Sequence, residues 1–197
     1  MAGSGFRNPI RKKQVLFIHS GGSQKLHQGS SDLVAWLQRT LGAGYEVRCP
    51  PMPDPDHPSY ELWKNKLAQE LEKADDGLIC IGHSLGGSVL LKFLSEEDCP
   101  RAIEALFILA SPYWGKKDWR VQEYVLHPQF ARQLPDIPHI FLYHSRQDAV
   151  VPFSHLSSYA AQLPQAAIRT FNSTDHLFSE GIPELVKDIL ELTAIHN

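Results

Sequence analysis

Residues 78–87 read LICIGHSLGG, an apolar run that leads into a serine flanked by glycines. Its first four residues are all apolar, which is typical of a strand with both faces covered. Gly82 and Gly86 lie two positions either side of Ser84, and glycine suits a turn in which a Cβ would collide with crowded backbone. An apolar stretch of helical length follows. Strand, sharp turn and helix are therefore predicted in succession, with the Ser84 hydroxyl pointing out of the sheet.

The rest of the chain repeats this alternation of short strands and helices. Strands are predicted at 15–18, 45–49, 78–81, 103–110, 140–143 and 168–171, and helices near 31–41, 59–71, 84–94, 154–162 and 183–192. The pattern predicts an α/β fold in which a mostly parallel, six-stranded sheet carries helices on both faces, giving three layers. No linker divides the chain, so we expect a single domain over 1–197, with a short, irregular, cap-like excursion at 112–138.

Apolar spacing predicts which faces of the first two helices are buried. The first helix, capped by Ser30 or Ser31, carries Leu33, Val34, Leu37 and Leu41. The second begins near Ser59 and carries Leu62, Trp63, Leu67 and Leu71. Recurrence at three and four residues places each set on one face. We therefore expect both helices to pack on the sheet through these residues.

Composition and charge exclude several classes of protein. Of the 197 residues, 43% are hydrophobic and 21% are charged, as in ordinary globular proteins. The formal net charge is −3 and there is one basic run, at 11–13, so the chain has no broad positive potential that would attract nucleic acid. No apolar run reaches the roughly 18 residues of a membrane span, and residues 1–14 lack the apolar centre of a secretory signal. We expect no nucleic-acid partner, no membrane span and a cytoplasmic location.

The cysteines and histidines give no sign of a metal or a disulfide framework. Cys49, Cys80 and Cys99 form no CxxC pair, and three cysteines cannot all be paired. Cys80 lies within an apolar run and is predicted to be a small buried hydrophobe. His139 and His144 lie five apart on one predicted strand, so they point to opposite faces. No zinc spacing occurs elsewhere, and neither a metal nor a cofactor is expected.

Two later loops supply the partners that a serine nucleophile needs. A serine hydroxyl is a weak nucleophile until a base takes its proton, and a third group must hold that base in one tautomer. Asp148 follows the fifth strand in HSRQDAVVP, residues 144–152, and His176 follows the sixth in NSTDHLF, residues 172–178. We predict Ser84 as nucleophile, His176 as general base and Asp148 as the residue that orients it. The alternatives are a turn aspartate that caps the next helix and a capping or surface histidine.

These motifs resemble those of the α/β-hydrolase superfamily. The wording GHSLGG at 82–87 is typical of its lipases, esterases and thioesterases, and the order serine, acid, histidine along the chain is also theirs. The loop around Asp148 is similar to the family's G-x-x-D-x-x-V-P, with Ser145 where glycine is usual. The resemblance implies a minimal α/β-hydrolase sheet with strand order 2-1-3-4-5-6.

The resemblance also implies an oxyanion hole, the pair of N–H groups that binds the negative oxygen of the reacting carbonyl. In the family, one donor is the residue after the serine, which is Leu85 here. The other comes from the loop after the first strand, where many members read His-Gly-x. This chain reads His19-Ser20-Gly21, so Gly21 is the implied donor and Ser20 is a departure from the pattern.

A narrower resemblance rests on MPDP at 52–55, followed closely by Trp63. Together with the short length, these residues make the chain similar to the small serine hydrolases grouped with retinoblastoma-binding protein nine. The resemblance covers nearly the whole chain from Gln14 onward. Retinoblastoma binding itself is not implied, because no residues for it are identified.

Aromatic residues follow the fourth strand, where larger relatives insert a cap above the serine. Trp114 and Tyr113 are candidates for an aromatic pocket wall that binds an acyl or aryl group, with ordinary packing as the alternative, and packing is favoured for Trp119. His19 borders the predicted site, either as a packing residue or as a substrate contact. We expect a small-molecule acyl substrate, and a monomer or a weak homodimer.

The leading hypothesis is hydrolysis of a small ester, thioester or activated amide through an acyl-enzyme. Two alternatives stay open at this point. One is a non-catalytic binding protein on a hydrolase scaffold, because a fold alone does not determine function. The other is an acyltransferase that uses the same three residues.

Overall fold

Strand β3, Leu78–His83, lies inside the sheet and runs parallel to its two neighbours. A computed structural model describes residues 11–173 and 175–194 of the chain. The other strands are β1 (Lys13–Ile18), β2 (Tyr45–Arg48), β4 (Ile103–Leu109), β5 (His139–Ser145) and β6 (Ala167–Phe171). Their order, β2-β1-β3-β4-β5-β6, confirms the predicted one, and the pairings within this sheet are parallel.

Helices cover both faces of the sheet. They are α1 (Ser31–Leu41), α2 (Tyr60–Glu72), α3 (Leu85–Glu96), α4 (Phe130–Gln133), α5 (Ser154–Gln162) and α6 (Pro183–Ala194). Successive side chains of a strand point to opposite faces. In β1, Leu16 and Ile18 join the core under α2, α3, α4 and α5, whereas Val15 and Phe17 join the core under α1 and α6. The predicted three-layer α/β architecture is therefore confirmed.

This topology brings the predicted site residues to one edge. The carboxyl ends of parallel strands meet at the same edge of a sheet, where α/β proteins place their ligands. Ser84 follows β3, Asp148 lies in the loop after β5, and His176 lies in the loop after β6. The loop after β1 carries Gly21 to the same edge.

One prediction for α2 is wrong. Leu62 is 48% exposed, whereas Tyr60, Trp63, Leu67, Glu70 and Leu71 form the buried face. Each helical residue turns by about 100°, so Leu62 lies too far from the line that joins Trp63 and Leu67. Helix α1 buries Leu33, Val34, Leu37 and Leu41 as predicted.

The predicted position of the α1 cap is confirmed, but the capping hydrogen bond is not formed. Ser30 occupies the capping position, but its hydroxyl makes no capping hydrogen bond to the helix. The Ser31 hydroxyl instead accepts a hydrogen bond from the N–H of Gln28, which precedes the helix. The Ser30 hydroxyl does not cap the helix because it is buried and hydrogen-bonded to the ring of His83 instead.

The segment 112–138 contains a single 3-10 turn, Gln122–Tyr124, and the short helix α4. Its turn is tied to the body of the protein at two points. The Tyr124 hydroxyl donates to the carbonyl of Pro58 (2.8 Å), and the Lys92 ammonium donates to the carbonyl of Val125 (2.9 Å). The turn is thus held against the start of α2 and against α3.

The described residues include no helix that is long and apolar enough to cross a membrane. Cys80 is fully buried, as predicted, and all three cysteines carry free thiols. The prediction that residues 1–14 hold no secretory signal falls mostly on residues 1–10, which lie outside the described part of the chain.

Candidate active site

Ser84 lies on a strained turn between β3 and α3. Its φ of 52° is in the left-handed region, which is unfavourable for a residue with a side chain. The turn is possible because its neighbours are glycines. A Cβ on Gly82 would come within 2.5 Å of the Cα of Gly87, and one on Gly86 within 2.3 Å of the carbonyl oxygen of Ile18. The turn lifts the Ser84 side chain above the sheet edge.

The side chains of Ser84, His176 and Asp148 form a continuous hydrogen-bonded line. Ser84 Oγ lies 3.0 Å from His176 Nε2, and His176 Nδ1 lies 2.8 Å from Asp148 Oδ2. An ionised carboxylate only accepts hydrogen bonds, so Nδ1 carries the proton of the neutral ring. Nε2 is then free to accept the hydroxyl proton of Ser84, as a general base must.

Asp148 is held so that only one of its oxygens faces the histidine. Oδ1 accepts hydrogen bonds from the N–H groups of Val150 and Val151, both at 2.8 Å. Its side chain is fully buried, and burial alone raises the pKa of a carboxyl group. The hydrogen bonds from His176 and from the two N–H groups outweigh that effect and lower the pKa of Asp148 below its ordinary value. The carboxylate therefore stays ionised at neutral pH.

Two backbone segments meet beside the serine hydroxyl. Leu85 begins α3, so its N–H lies at the positive end of the helix. Gly21, in the loop after β1, packs against the Leu85 side chain, and a Cβ at position 21 would lie 3.2 Å from its Cδ2. Both residues line the same pocket as Ser84. The pocket thus brings the two implied oxyanion donors together.

That pocket has a volume of about 540 Å³ and a mainly apolar lining. Three aromatic residues form a continuous wall. The ring centre of Trp114 lies 5.3 Å from that of Trp119 and 5.1 Å from that of Tyr124. The Trp114 indole N–H donates to the buried Ser88 hydroxyl at 2.9 Å, which fixes the orientation of the ring. The wall and Ser84 line the same pocket.

A comparison with models of known protein families finds a match over residues 27–181, to the family described as serine hydrolase. The chain belongs to this family. The hydrolase is also 24% identical over 183 residues to the protein YdeN of Bacillus subtilis (strain 168), whose name describes it as a hydrolase. That alignment covers 90% of this chain and 94% of the relative.

Solved structures show the same fold. The ydeN gene product of B. subtilis superposes with a TM-score of 0.76 at 22% identity, covering 93% of this hydrolase and 100% of that chain. The meta-cleavage product hydrolase CumD of Pseudomonas fluorescens IP01 gives 0.71 at 13% identity, covering 94% and 92%. Est1E from Butyrivibrio proteoclasticus gives 0.67 at 17% identity, covering 96% and 91%. These likenesses show that the hydrolase shares its fold with the three solved proteins.

Two residues of the predicted pocket lie elsewhere in the hydrolase. Tyr113 packs edge-on against Tyr159, with ring centres 4.9 Å apart, and is not part of the lining around Ser84. His19 is buried, its Nδ1 lies 3.5 Å from the N–H of Ser30, and it borders a separate depression. Trp119, for which packing was favoured, lines the pocket as well as packing on Trp114.

Several contributors were not identified from the sequence. The Ser111 hydroxyl donates to the carbonyl of Ser84 at 2.5 Å and so supports the strained turn. Pro112 and Leu177 line the pocket. Ser111 and Pro112 lie just past the end of β4, at the edge where ligands bind, and that position was the available signal.

No group of three or more His, Cys, Asp or Glu side chains within the described ranges is arranged to hold a metal ion. Asp148 does have a second histidine nearby, since His144 Nε2 lies 3.7 Å from its Oδ2. That nitrogen donates to the carbonyl of Val151 at 2.9 Å and therefore carries a proton. His144 supports the loop that presents Asp148.

Proposed function

We propose that Ser84, His176 and Asp148 are a catalytic triad that hydrolyses small esters, thioesters or activated amides through an acyl-enzyme. The observation that carries the proposal is the pair of contacts at His176, 3.0 Å to the Ser84 hydroxyl and 2.8 Å to the Asp148 carboxylate. Distances of this size let a histidine take a proton from a serine while a carboxylate holds its ring.

The proposed reaction follows from this geometry. His176 Nε2 takes the hydroxyl proton as Ser84 Oγ forms a bond to the substrate carbonyl carbon, and the carbonyl oxygen becomes an oxyanion. The same nitrogen returns the proton to the leaving group, whose bond to carbon breaks. A water molecule then repeats the two steps on the acyl-enzyme, releasing the acid and free Ser84. Asp148 stabilises the imidazolium that forms in each half of the reaction.

The backbone N–H groups of Leu85 and Gly21 are the proposed oxyanion hole. Support comes from their shared position beside Ser84 and from the helix terminus at Leu85. The loss of one such donor typically slows a reaction by about 10² to 10³-fold.

The pocket lining supports a neutral, apolar acyl group as substrate. Among the described residues that line the pocket, the titratable side chains are those of His176, Glu123 and Tyr124. One oxygen of Glu123 accepts a hydrogen bond from the N–H of Tyr60, so the carboxylate has a fixed place at the pocket. The part of the lining that the structure describes contains no Lys or Arg, so an anionic acyl group would meet the Glu123 carboxylate without a compensating positive charge.

Hydrolysis of p-nitrophenyl esters with acyl chains from acetyl to octanoyl tests the proposal. We expect turnover, a preference for chains longer than acetyl, and an intermediate whose acyl group is found on the peptide that contains Ser84. Addition of an alcohol identifies a transferase, because the ester of that alcohol would then exceed the free acid. An absence of turnover across the series, or an acyl group on another residue, would contradict the proposal.

A further inference from the structure

His83, the residue immediately before Ser84, is a fully buried polar side chain to which the proposed reaction assigns no part. Both of its ring nitrogens are engaged. Nδ1 lies 2.8 Å from the hydroxyl of Ser30, and Nε2 lies 2.9 Å from the backbone carbonyl of His176. The ring thus joins the start of α1 to the loop that carries the proposed base.

The donor and acceptor of each contact can be assigned. A carbonyl oxygen only accepts, so Nε2 of His83 must carry a hydrogen and donate it to His176. Burial, reinforced by the adjacent His176 ring, lowers the pKa of His83 to about 3, so the ring is neutral near pH 7. Its Nδ1 has no hydrogen and accepts from the Ser30 hydroxyl. The tautomer of His83 is therefore fixed by its two partners.

Ser30 continues this line towards the loop after β1. Its hydroxyl does not cap α1. Its Oγ instead accepts a hydrogen bond from the N–H of Ser20 at 3.0 Å, while its proton goes to His83. Ser20 precedes Gly21, the proposed oxyanion donor. One chain of buried hydrogen bonds thus runs from the proposed oxyanion loop, through Ser30 and His83, to the backbone of His176.

The rings reinforce the same arrangement. The ring centres of His83 and His176 lie 5.2 Å apart with the planes tilted by 39°, and Phe178 packs edge-on against His83 at 5.9 Å. The His83 ring is therefore a rigid support beside the imidazole that must align with Ser84.

We propose that His83 and Ser30 are positioning residues that set the place of His176 and of the Ser20–Gly21 backbone relative to Ser84. The inference rests on the proposed function, since it assumes that His176 is the base. Its physical basis is the steep dependence of proton transfer on alignment, where a displacement of about 1 Å can cost roughly 10²-fold in rate. Neither residue touches the substrate in this account.

Substitutions at position 83 separate the two contacts of the ring. His83→Gln keeps an N–H group near the place of Nε2 and can still donate to His176. His83→Asn keeps an acceptor near the place of Nδ1 but does not reach His176. For p-nitrophenyl butyrate, we expect kcat to fall by roughly 10 to 100-fold in the Asn variant and by less than about fivefold in the Gln variant. KM should stay within about twofold in both, because the pocket is not altered.

Substitutions at position 30 test the rest of the line. Ser30→Ala should lower kcat by roughly three to tenfold, while Ser31→Ala, the matched control, should leave it unchanged. The loss of kcat in the Ser30→Ala/His83→Asn double variant should be smaller than the product of the two single losses, because the two residues belong to one hydrogen-bonded line. Urea unfolding of each variant establishes whether it is folded. If a variant at position 83 does not fold, the kcat of Ser30→Ala alone tests the positioning proposal.

The results that overturn the proposal are distinct from those that overturn the proposed function. If Ser84→Ala turns over ester as fast as wild type, the proposed function fails. If Ser84→Ala is inactive while Ser30→Ala and His83→Asn keep wild-type kcat, only the positioning proposal fails. It also fails if the Gln variant is as slow as the Asn variant, or if the losses at positions 30 and 83 multiply.

Discussion

Gly86 lies directly against the end of β1, so that a Cβ at position 86 would come within 2.3 Å of the carbonyl oxygen of Ile18. Backbone atoms cannot yield as a flexible side chain does. Gly86→Ala should therefore push α3 away from β1, destabilise the protein by about 1–3 kcal/mol or more, and displace Ser84. Urea unfolding and ester hydrolysis measure the two effects.

Gly44→Ala is the matched control for that substitution. Gly44 has no neighbouring atom within 4 Å of an added Cβ, and its backbone is not in the left-handed region. Its urea midpoint and activity should match those of wild type. Equal midpoints for the variants at 86 and 44 would show that the contact with Ile18 does not constrain the turn.

Asp148→Asn tests the orienting role of the carboxylate. An amide in this place can offer its N–H groups to His176, which favours the wrong tautomer of the ring. We expect kcat to fall by roughly 10³ to 10⁴-fold with little change in folding. Asp32→Asn is the control, because Asp32 also lies 2.8 Å from a histidine, His27, but in an exposed pair. A loss below about tenfold at position 148, or equal losses in both variants, would count against the triad.

Trp119→Ala tests the pocket wall. Removal of a large aromatic contact costs about 1.5–3 kcal/mol of apolar burial, so kcat/KM for the p-nitrophenyl hexanoate ester should fall by roughly tenfold or more. Hydrolysis of the acetate ester should change by less than about threefold, because a short acyl group does not reach the wall. Tyr113→Leu, which alters an aromatic residue outside the pocket lining, should keep the wild-type ratio of the two esters. A parallel loss on both esters in the Trp119 variant would contradict this assignment.

Buried histidines should make the protein sensitive to acid. Burial lowers the pKa of His83 to about 3 and that of His155 to about 4, from an ordinary value of 6.5, and also lowers those of His19 and His144. In the unfolded chain these rings bind protons below about pH 6.5, whereas in the folded protein they bind protons only at a lower pH. Unfolding therefore takes up protons, and stability decreases as the pH falls from about 6.5 towards 4.

His83→Gln isolates one of these contributions. Between about pH 7 and pH 4.5, the wild type should lose roughly 2–3 kcal/mol more of its free energy of unfolding than the variant does. Between about pH 7 and pH 8 the difference between the two proteins should stay constant, since the unfolded histidine is already neutral. Urea unfolding at each pH makes the comparison. Parallel curves over the acid range would mean that His83 is charged in the folded protein or already neutral in the unfolded one.

Much of the fold could be predicted from local pattern, because the four inner strands β1, β3, β4 and β5 contain short apolar runs that are largely buried on both faces. The run at 78–81 is an example, and the strand extends beyond it only to His83. The three residues of the proposed triad could be singled out since each follows a different strand, and parallel strands bring such loops to one edge. The strand order came from family resemblance, because periodicity carries no information on which strands are neighbours.

The features that sequence did not predict depend on contacts between distant segments. The hydroxyl of Ser30 was expected to cap its own helix, but its partner His83 lies 53 residues away. The wall position of Trp119 depends on how the segment 112–138 folds back, and no repeating pattern in that segment fixes its path. Leu62 was placed on the buried face with Trp63, Leu67 and Leu71, although it lies about 100° from Trp63 around the helix and five residues from Leu67.

Labelling with a fluorophosphonate probe tests the central claim most directly, because the probe reacts with a serine hydroxyl only when a base activates it. Wild type and Ser145→Ala should be labelled alike, since the Ser145 hydroxyl has no hydrogen-bond partner among the described residues. Ser84→Ala should not be labelled, and the adduct in wild type should lie on Ser84. Equal labelling of Ser84→Ala and wild type would contradict the assignment of Ser84 as the nucleophile.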